Sequence, residues 1–404
     1  QRIRLATQLG ARLTGTIYVL DEPTIGLHQR DTQKLIGTLE GLRDLGNTLV
    51  VVEHDPDVMN TADHIVDMGP AAGEFGGTIV AQGTIDAIKK ADTETGAYLS
   101  GNRAIPIPSK RREPKLWIDI PNATTNNLTG FSSRIPRRCL TVVTGVSGSG
   151  KSSFVMDTVA PHLETRRKAR KAGPNRVVVV DQRPIGRSPR STPASYSKVM
   201  DPIRNLFASL PSAQAMGFDR SRFTYNGTSG RCPHCEGRGA VLIEMHFLSD
   251  VWVTCEHCKG ARYSETTLLV KWNEHTIADV LNLSVTSALQ LFAHHRAIVR
   301  RLQPLEDVGL GYLRLGQPAN TLSGGEAQRL KLATELIGRK KEACFILDEP
   351  TTGLHFSDVE KLIGVLHRLI DAGHMIIVIE HHLDLINNAD HVIDLGPEGG
   401  SEGG

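Results

Sequence analysis

Between Gly145 and Ser152 the chain reads Gly-Val-Ser-Gly-Ser-Gly-Lys-Ser, a glycine, four residues, then Gly-Lys-Ser. The apolar run Leu140-Thr141-Val142-Val143-Thr144 ahead of it reads as a buried parallel strand, and Ser153-Phe154-Val155-Met156-Asp157 behind it can begin a helix. Strand, glycine-rich loop and helix, in that order, is the setting in which such a loop cradles phosphates. The glycines let backbone N–H groups turn toward the ligand, and the helix N-terminus adds a favourable dipole. Lys151 would bring a point charge to the phosphates, and the Ser152 hydroxyl a ligand for Mg²⁺. Gly145, Val146, Ser147, Gly148, Ser149, Gly150 and Ser153 complete the expected ATP-binding set. A turn without a ligand would not need the Lys-Ser end. The fold class expected is α/β.

The second constraint is an internal repeat. Gln1-Arg2-Ile3-Arg4-Leu5-Ala6-Thr7 returns as Gln328-Arg329-Leu330-Lys331-Leu332-Ala333-Thr334. Asp21-Glu22-Pro23-Thr24 returns at Asp348, Glu53-His54 at Glu380, and Asp67 with Gly69-Pro70 at Asp394, each pair 327 positions apart. That spacing is too long for a solenoid and indicates two copies of one domain. Leu322-Ser323-Gly324-Gly325-Glu326-Ala327 precedes the second block only, and the phosphate loop occurs once. The chain is therefore expected to be the C-terminal part of a longer protein, with the first domain truncated. The expected order is the end of the first nucleotide-binding domain over 1–90 and a proline-extended linker over 91–115. The second domain then opens over 116–200, an insertion spans 201–312, and the domain ends over 313–404.

Phe345-Ile346-Leu347 is an apolar strand that runs into Asp348 and Glu349. Asp348 is placed to hold Mg²⁺ and Glu349 to polarise an attacking water, which suits phosphoryl transfer, where positioning and charge do most of the catalysis. His381, after the strand Met375–Ile379, would reach the γ-phosphate side of the same edge. Arg176-Val177-Val178-Val179-Val180 reads as a buried strand that ends at the polar pair Asp181-Gln182, and Gln182 could bridge Mg²⁺ and the water. Asp21, Glu22 and His54 are the first copy's counterparts. Ser323, Gly324, Gly325 and Glu326, starting a helix, form a second anion-binding helix start, which makes sense if it completes a nucleotide pocket across an interface. Beside the other motifs this is the signature of ABC-type ATPases.

The six cysteines include Cys232-Pro233-His234-Cys235 and Cys255-Glu256-His257-Cys258. Two such pairs read as a four-thiolate zinc site, with Gly237, Gly239 and Gly260 free to make the knuckle turns. Two disulfides are the alternative, disfavoured by the lack of an export signal. His234 and His257 read as solvent-facing, and Cys139 and Cys344 as small core residues. Around the pairs stand Arg222, Arg231, Arg238, Lys259 and Arg262 with Phe223, Tyr225, Trp252 and Tyr263. This mixture suits a surface that tracks DNA phosphates, or an aromatic mini-core around the metal that holds at least Trp252. The basic run from Thr165 to Arg170 reads equally as a phosphate contact or a solvated surface. Net charge is only +2, so a polyanion would have to be met by local patches. No apolar run is long enough for a bilayer, and a cytoplasmic location is expected.

These motifs together resemble the UvrA family, the damage-sensing ATPase subunits of bacterial excinuclease ABC. The resemblance rests on Asp348-Glu349-Pro350-Thr351-Thr352-Gly353-Leu354-His355, on Asp181-Gln182 with Pro184-Ile185-Gly186-Arg187, and on the cysteine stretch with Glu244-Met245-His246-Phe247-Leu248. Asp394-Leu395-Gly396-Pro397-Glu398-Gly399-Gly400 adds to it. It implies tandem ABC modules with zinc-bearing insertions, a homodimer on damaged double-stranded DNA, ATP, Mg²⁺ and Zn²⁺ as cofactors, and a UvrB-type partner. The family pattern differs ahead of the loop, where this chain has Asn122-Ala123-Thr124-Thr125-Asn126-Asn127-Leu128. Two other classes remain open. One is a UvrA-like paralogue in drug or intercalator resistance; the other is a non-catalytic zinc-knuckle module like that of DnaJ chaperones, which would not need the phosphate loop.

Overall fold

Residues 140–143, 343–347 and 375–379 are largely apolar and do not alternate with polar ones, the pattern of strands covered on both faces. All three form such strands in the computed structural model, which describes residues 14–70, 76–169, 173–186, 188–245, 251–337 and 342–404. Gln1–Thr7 of the repeat, Arg170 of the basic run, Arg187 and residues 246–248 of the cysteine stretch lie outside the described residues.

The chain divides into two compact units, one formed by Gln1–Asp181 with Lys340–Gly404 and the other by Gln182–Arg339. In the first, β1 (Ile17–Asp21) pairs in parallel with β2 (Thr48–Val52) across the helix Gln29–Asp44. Antiparallel pairs follow in β3 (Ile65–Gly69) with β4 (Thr78–Gly83), and β5 (Trp117–Ala123) with β6 (Phe131–Pro136). The chain goes on through β7 (Leu140–Gly145) and β8 (Arg176–Val180). The second unit is built of short helices around Phe207, Phe223, Tyr263 and Phe292. It carries the hairpins β9 (Ala240–Ile243) with β10 (Val251–Thr254) and β11 (Lys271–Trp272) with β12 (His275–Thr276). Returning to the first unit, β13 (Ala343–Asp348), β14 (Met375–Ile379) and β15 (His391–Leu395) complete a five-stranded, all-parallel sheet in the order β15-β7-β14-β13-β8. The α/β class follows.

Behind the sheet, Phe154, Val155, Val159 and Leu163 pack with Ile118, Ile120 and Ile135 against Cys344, Ile346, Ile377 and Ile379. The helix that supplies the first four is π-wound over Ser153–Val159 before it continues as Ala160–Lys168. Pro161 has no N–H to give to Asp157, and its ring crowds that carbonyl, so the preceding turn widens. The two copies of the repeat differ sharply here. Val19 is 72% exposed, whereas Ile346, 327 positions on, is 0% exposed. Ile17, Val50 and Val52 are open in the same way, because the described residues give β1 and β2 no counterpart of the Phe154 helix.

Three local readings change. The stretch expected as an extended linker holds a helix, Glu94–Leu99, capped by the Thr93 hydroxyl; Tyr98 stacks on Phe356 and donates to Glu360 at 2.7 Å. Strand β8 lies at the sheet edge and is only half-buried, with Val179 open to solvent. Trp252 belongs to the β9/β10 hairpin, exposed together with Val241, Ile243, Val251 and Val253, and not to an aromatic core around the metal site.

Replacing Phe154 by Ala should cost about 3–5 kcal/mol in urea unfolding. Val19→Ala in this chain should stay within about 0.5 kcal/mol.

Candidate functional site

The phosphate loop closes where β7 ends. Gly145 has φ +136, and a Cβ there would fall 2.1 Å from the Leu395 carbonyl oxygen, so only glycine fits. The Lys151 ammonium donates to the Gly145 and Val146 carbonyls, both at 2.9 Å. Burial lowers its pKa, opposed by the nearby carboxylates of Glu349 and Asp348. A half-buried cation facing loop carbonyls calls for an anion. Ser149 is buried, Ser152 is exposed in the first helical turn, and Ser147 donates to the Gly26 carbonyl at 3.3 Å. The motif reading gave Asn126 and Asn127 no role. Asn127 Nδ2 donates to the Gly148 carbonyl at 3.1 Å and to that of Gly400 at 3.2 Å, which fastens the loop to the chain's last turn. Asn126 Nδ2 donates to Ser153 Oγ at 2.9 Å.

Parallel register aligns the other groups with that loop. Asp348 is opposite Ile379, Ile379 opposite Val143, and Leu395 opposite Gly145. The ends of β13 and β14 therefore set Asp348, Glu349, Glu380 and His381 along one edge, where open parallel sheets place ligands. Burial raises the Asp348 carboxyl above its ordinary 3.8, helped by Glu380 and Asp181 and opposed by Lys151. Burial also lowers the His381 imidazole below 6.5, against the pull of Glu380. His381 is thus held neutral at physiological pH, with Nδ1 4.0 Å from Glu349 Oε1. Glu349 takes φ +44 with its N–H bonded to the Ile379 carbonyl at 2.9 Å; Glu22 takes φ +43 and bonds Val52 in the same way. Such a backbone is uncommon for a side-chain-bearing residue and is held by its surroundings.

The two copies meet around these glutamates. A Cβ on Gly26 would lie 3.1 Å from Glu349 Oε2, and one on Gly353 would lie 3.0 Å from Glu22 Oε2. A cavity of about 330 Å³ between them is lined by Glu22, His54, Thr351, Gly353, His381 and His382, among others. His54 Nε2 is 3.6 Å from Glu22 Oε1. Asp21 is exposed at the end of β1.

The second unit carries Gln182 and the helix Gly324–Leu336. Ser323 Oγ accepts the Glu326 N–H at 3.2 Å, and Glu326 Oε2 accepts the Ser323 N–H at 2.7 Å, a closed capping box. The cap uses a lone pair of Ser323 and leaves its O–H proton free to donate to an anion. Gly324 is packed on Gln182, where a Cβ would lie 3.3 Å from the Gln182 side chain.

The Sγ atoms of Cys232, Cys235, Cys255 and Cys258 lie within 4.8 Å of one another, and Cys235 and Cys258 are 3.6 Å apart without a bond. Sulfurs around a tetrahedral zinc stand roughly 3.8 Å apart, so the cluster fits such a cation. A Cβ on Gly237, at φ +78, would strike the Tyr225 carbonyl. His234 and His257 are exposed, as expected, and stack with ring centroids 3.2 Å apart. Of the basic residues expected to face DNA, Arg262 is a correction. It is 5% exposed, and its guanidinium donates to the Pro189 and Gly316 carbonyls while lying 5.2 Å from the Tyr225 ring centroid. Arg222 covers Phe218 and donates to Thr266, and Arg231 lies 3.8 Å from Glu236. Lys259 is exposed.

No family model matches the chain. The chain is 54% identical over 421 residues to UvrABC system protein A of Aquifex aeolicus and 54% identical over 420 residues to that of Thermus thermophilus. All of this chain is aligned in both, but it spans only 45% and 44% of those proteins. The crystal structure of UvrA2 from Deinococcus radiodurans is similar at a TM-score of 0.93 and 46% identity, over 100% of this chain and 50% of that one. A chain in the complex of archaeal ribosomal stalk protein aP1 and recycling factor aABCE1, at 17% identity and TM-score 0.51, shares the fold alone.

A carboxyl raised by burial favours the fold only when protonated, below its ordinary 3.8, and that advantage is lost as pH rises through the folded value. Asp348→Asn should therefore raise the nucleotide-free melting temperature at pH 7.

Proposed function

Because this chain belongs to the UvrA family and corresponds to a C-terminal portion of its members, we propose that it contributes one ATP-hydrolysing site and a zinc-pinned insertion to a DNA damage-recognition ATPase. The observation that carries this reading is the convergence of the 145–152 loop, Asp348, Glu349 and His381 at one sheet edge. Backbone N–H groups of the loop and the Lys151 ammonium would hold the phosphates, and Ser152 and Asp348 would hold Mg²⁺. The metal would neutralise charge on the phosphate oxygens. Glu349 would accept the proton of the attacking water, and neutral His381 would donate to the γ-phosphate. Zn²⁺ would be held by Cys232, Cys235, Cys255 and Cys258 as a closed structural site. Asp21, Glu22 and His54 would serve a second site in the same way.

Ser323–Glu326 would face a nucleotide held by another module, which makes a homodimer the natural assembly. Double-stranded DNA would be met by Arg222, Arg231 and Lys259 and by the exposed β9/β10 hairpin, with a UvrB-type protein as partner in the cytoplasm. Among the described residues no helix is long and apolar enough to cross a membrane.

A single copy of this chain should bind ATP weakly and turn it over slowly, since a signature such as Ser323–Glu326 would complete the pocket of another module rather than its own. In the full-length protein Glu349→Gln should lower kcat by about 100-fold or more with nucleotide binding kept; unchanged turnover would remove Glu349 from its role. The purified protein should carry about one zinc per four-cysteine site, and Cys258→Ser should lose it by elemental analysis. Filter binding over a salt series, damaged against undamaged duplex, separates a repair ATPase from a resistance paralogue, which should show no preference.

A further inference from the structure

Glu380 is 0% exposed, and its burial is explained by neither the phosphate loop nor the Mg²⁺ ligands. Its Oε1 accepts the Thr351 N–H at 3.2 Å and also the Thr351 hydroxyl, while Oε2 accepts the His381 N–H at 2.8 Å. His381 Nδ1 lies 3.5 Å from the same oxygen. One buried carboxylate thus joins the loop that follows Glu349 to the residue that contacts the γ-phosphate side. The first copy repeats the device. Glu53 Oε1 accepts the Thr24 N–H at 2.9 Å and the Thr24 hydroxyl, and Oε2 accepts the N–H groups of His54 at 2.9 Å and Asp55 at 3.1 Å. The two sites reach the same pattern although the surroundings of the two copies differ.

A buried anion is costly unless donors surround it. An apolar residue would fill the space more cheaply, as Ile379 does one position earlier. What an apolar residue would lack is a fixed distance between the Thr351 loop and the backbone of His381. We infer that Glu380 is a positioning residue for ATP hydrolysis: it clamps the loop carrying Glu349 to His381, so that the base and the γ-phosphate contact move together. Glu53 does the same for Glu22 and His54. The inference rests on the ATPase reading above.

The test uses the full-length protein. In Glu380→Gln the amide oxygen still serves Thr351, but the amide N–H₂ meets the His381 N–H donor to donor. Thr351→Val removes the hydroxyl contact and leaves the N–H in place. Both should lower kcat for ATP by about 10- to 100-fold, with KM for ATP and the affinity for a non-hydrolysable analogue within threefold of the parent. Thr351→Ser, which keeps the hydroxyl, should restore at least half of the parent's kcat. If Glu380→Gln fails to fold, the Thr351 pair decides. Parental kcat in Glu380→Gln or Thr351→Val overturns the clamp, as does a fall in KM-normalised activity that only tracks a loss of folded protein by near-UV circular dichroism. Lys151→Ala separates the underlying reading: if it binds and hydrolyses ATP like the parent, the nucleotide site itself is misassigned whatever Glu380 does.

Discussion

The parallel ladder between β7, β14 and β13 is the constraint on which the site depends. Each hydrogen-bonded step fixes which residue ends beside which, and the ends are where the chemistry stands. Val143 pairs with Ile379 and Ile379 with Asp348, so the glycine-rich loop, the Asp348 carboxylate and His381 leave the sheet side by side. A slip of one residue in β13 would turn Asp348 to the other face and break the constellation. The core behind the sheet, from Phe154 to Leu163, guards that register by filling the space against Ile346 and Ile377.

Charge at this edge is held at a cost. Lys151 is kept half-buried against carbonyls, Asp348 is raised by burial, and Glu380 is fully enclosed. Lys151 and Asp348 partly offset one another: the Asp348 and Glu349 anions support the Lys151 cation, and Lys151 opposes the rise at Asp348. A triphosphate with its metal would complete that balance, because it brings both signs of charge to groups already ordered. The same economy explains the positive φ of Glu22 and Glu349. Strain at one residue is sustained by a backbone bond to the adjacent strand and by a glycine from the opposite copy pressed against the carboxylate.

Much of this was legible in the residues. The glycine-rich loop, the Asp-Glu strand ends, the helix start at Ser323 and the cysteine pairs are local patterns, and local geometry follows from them. What was misread shares one cause. Trp252, Arg262 and the helix Glu94–Leu99 depend on what packs around them, and no spacing rule reports that. An aromatic in a four-residue strand can face a core or water, and an arginine near cysteines can reach for phosphate or for carbonyls. Asn127 and Glu380 were in plain view, the second within a repeated Glu-His pair, yet a carboxylate or amide spent on backbone groups has no motif of its own.

By itself the sequence determined that this is an α/β chain with two related copies, a glycine-rich loop of phosphate-binding pattern and a four-thiolate cluster, because glycine spacing, apolar runs and Cys-x-x-Cys pairs act over a few residues at a time. Tertiary structure alone decided which face of each copy is covered, which of the basic side chains stay in water, and that Glu22 and Glu349 each abut a glycine of the other copy. Those outcomes rest on contacts between residues hundreds of positions apart, whose geometry exists only once the sheet has set its register.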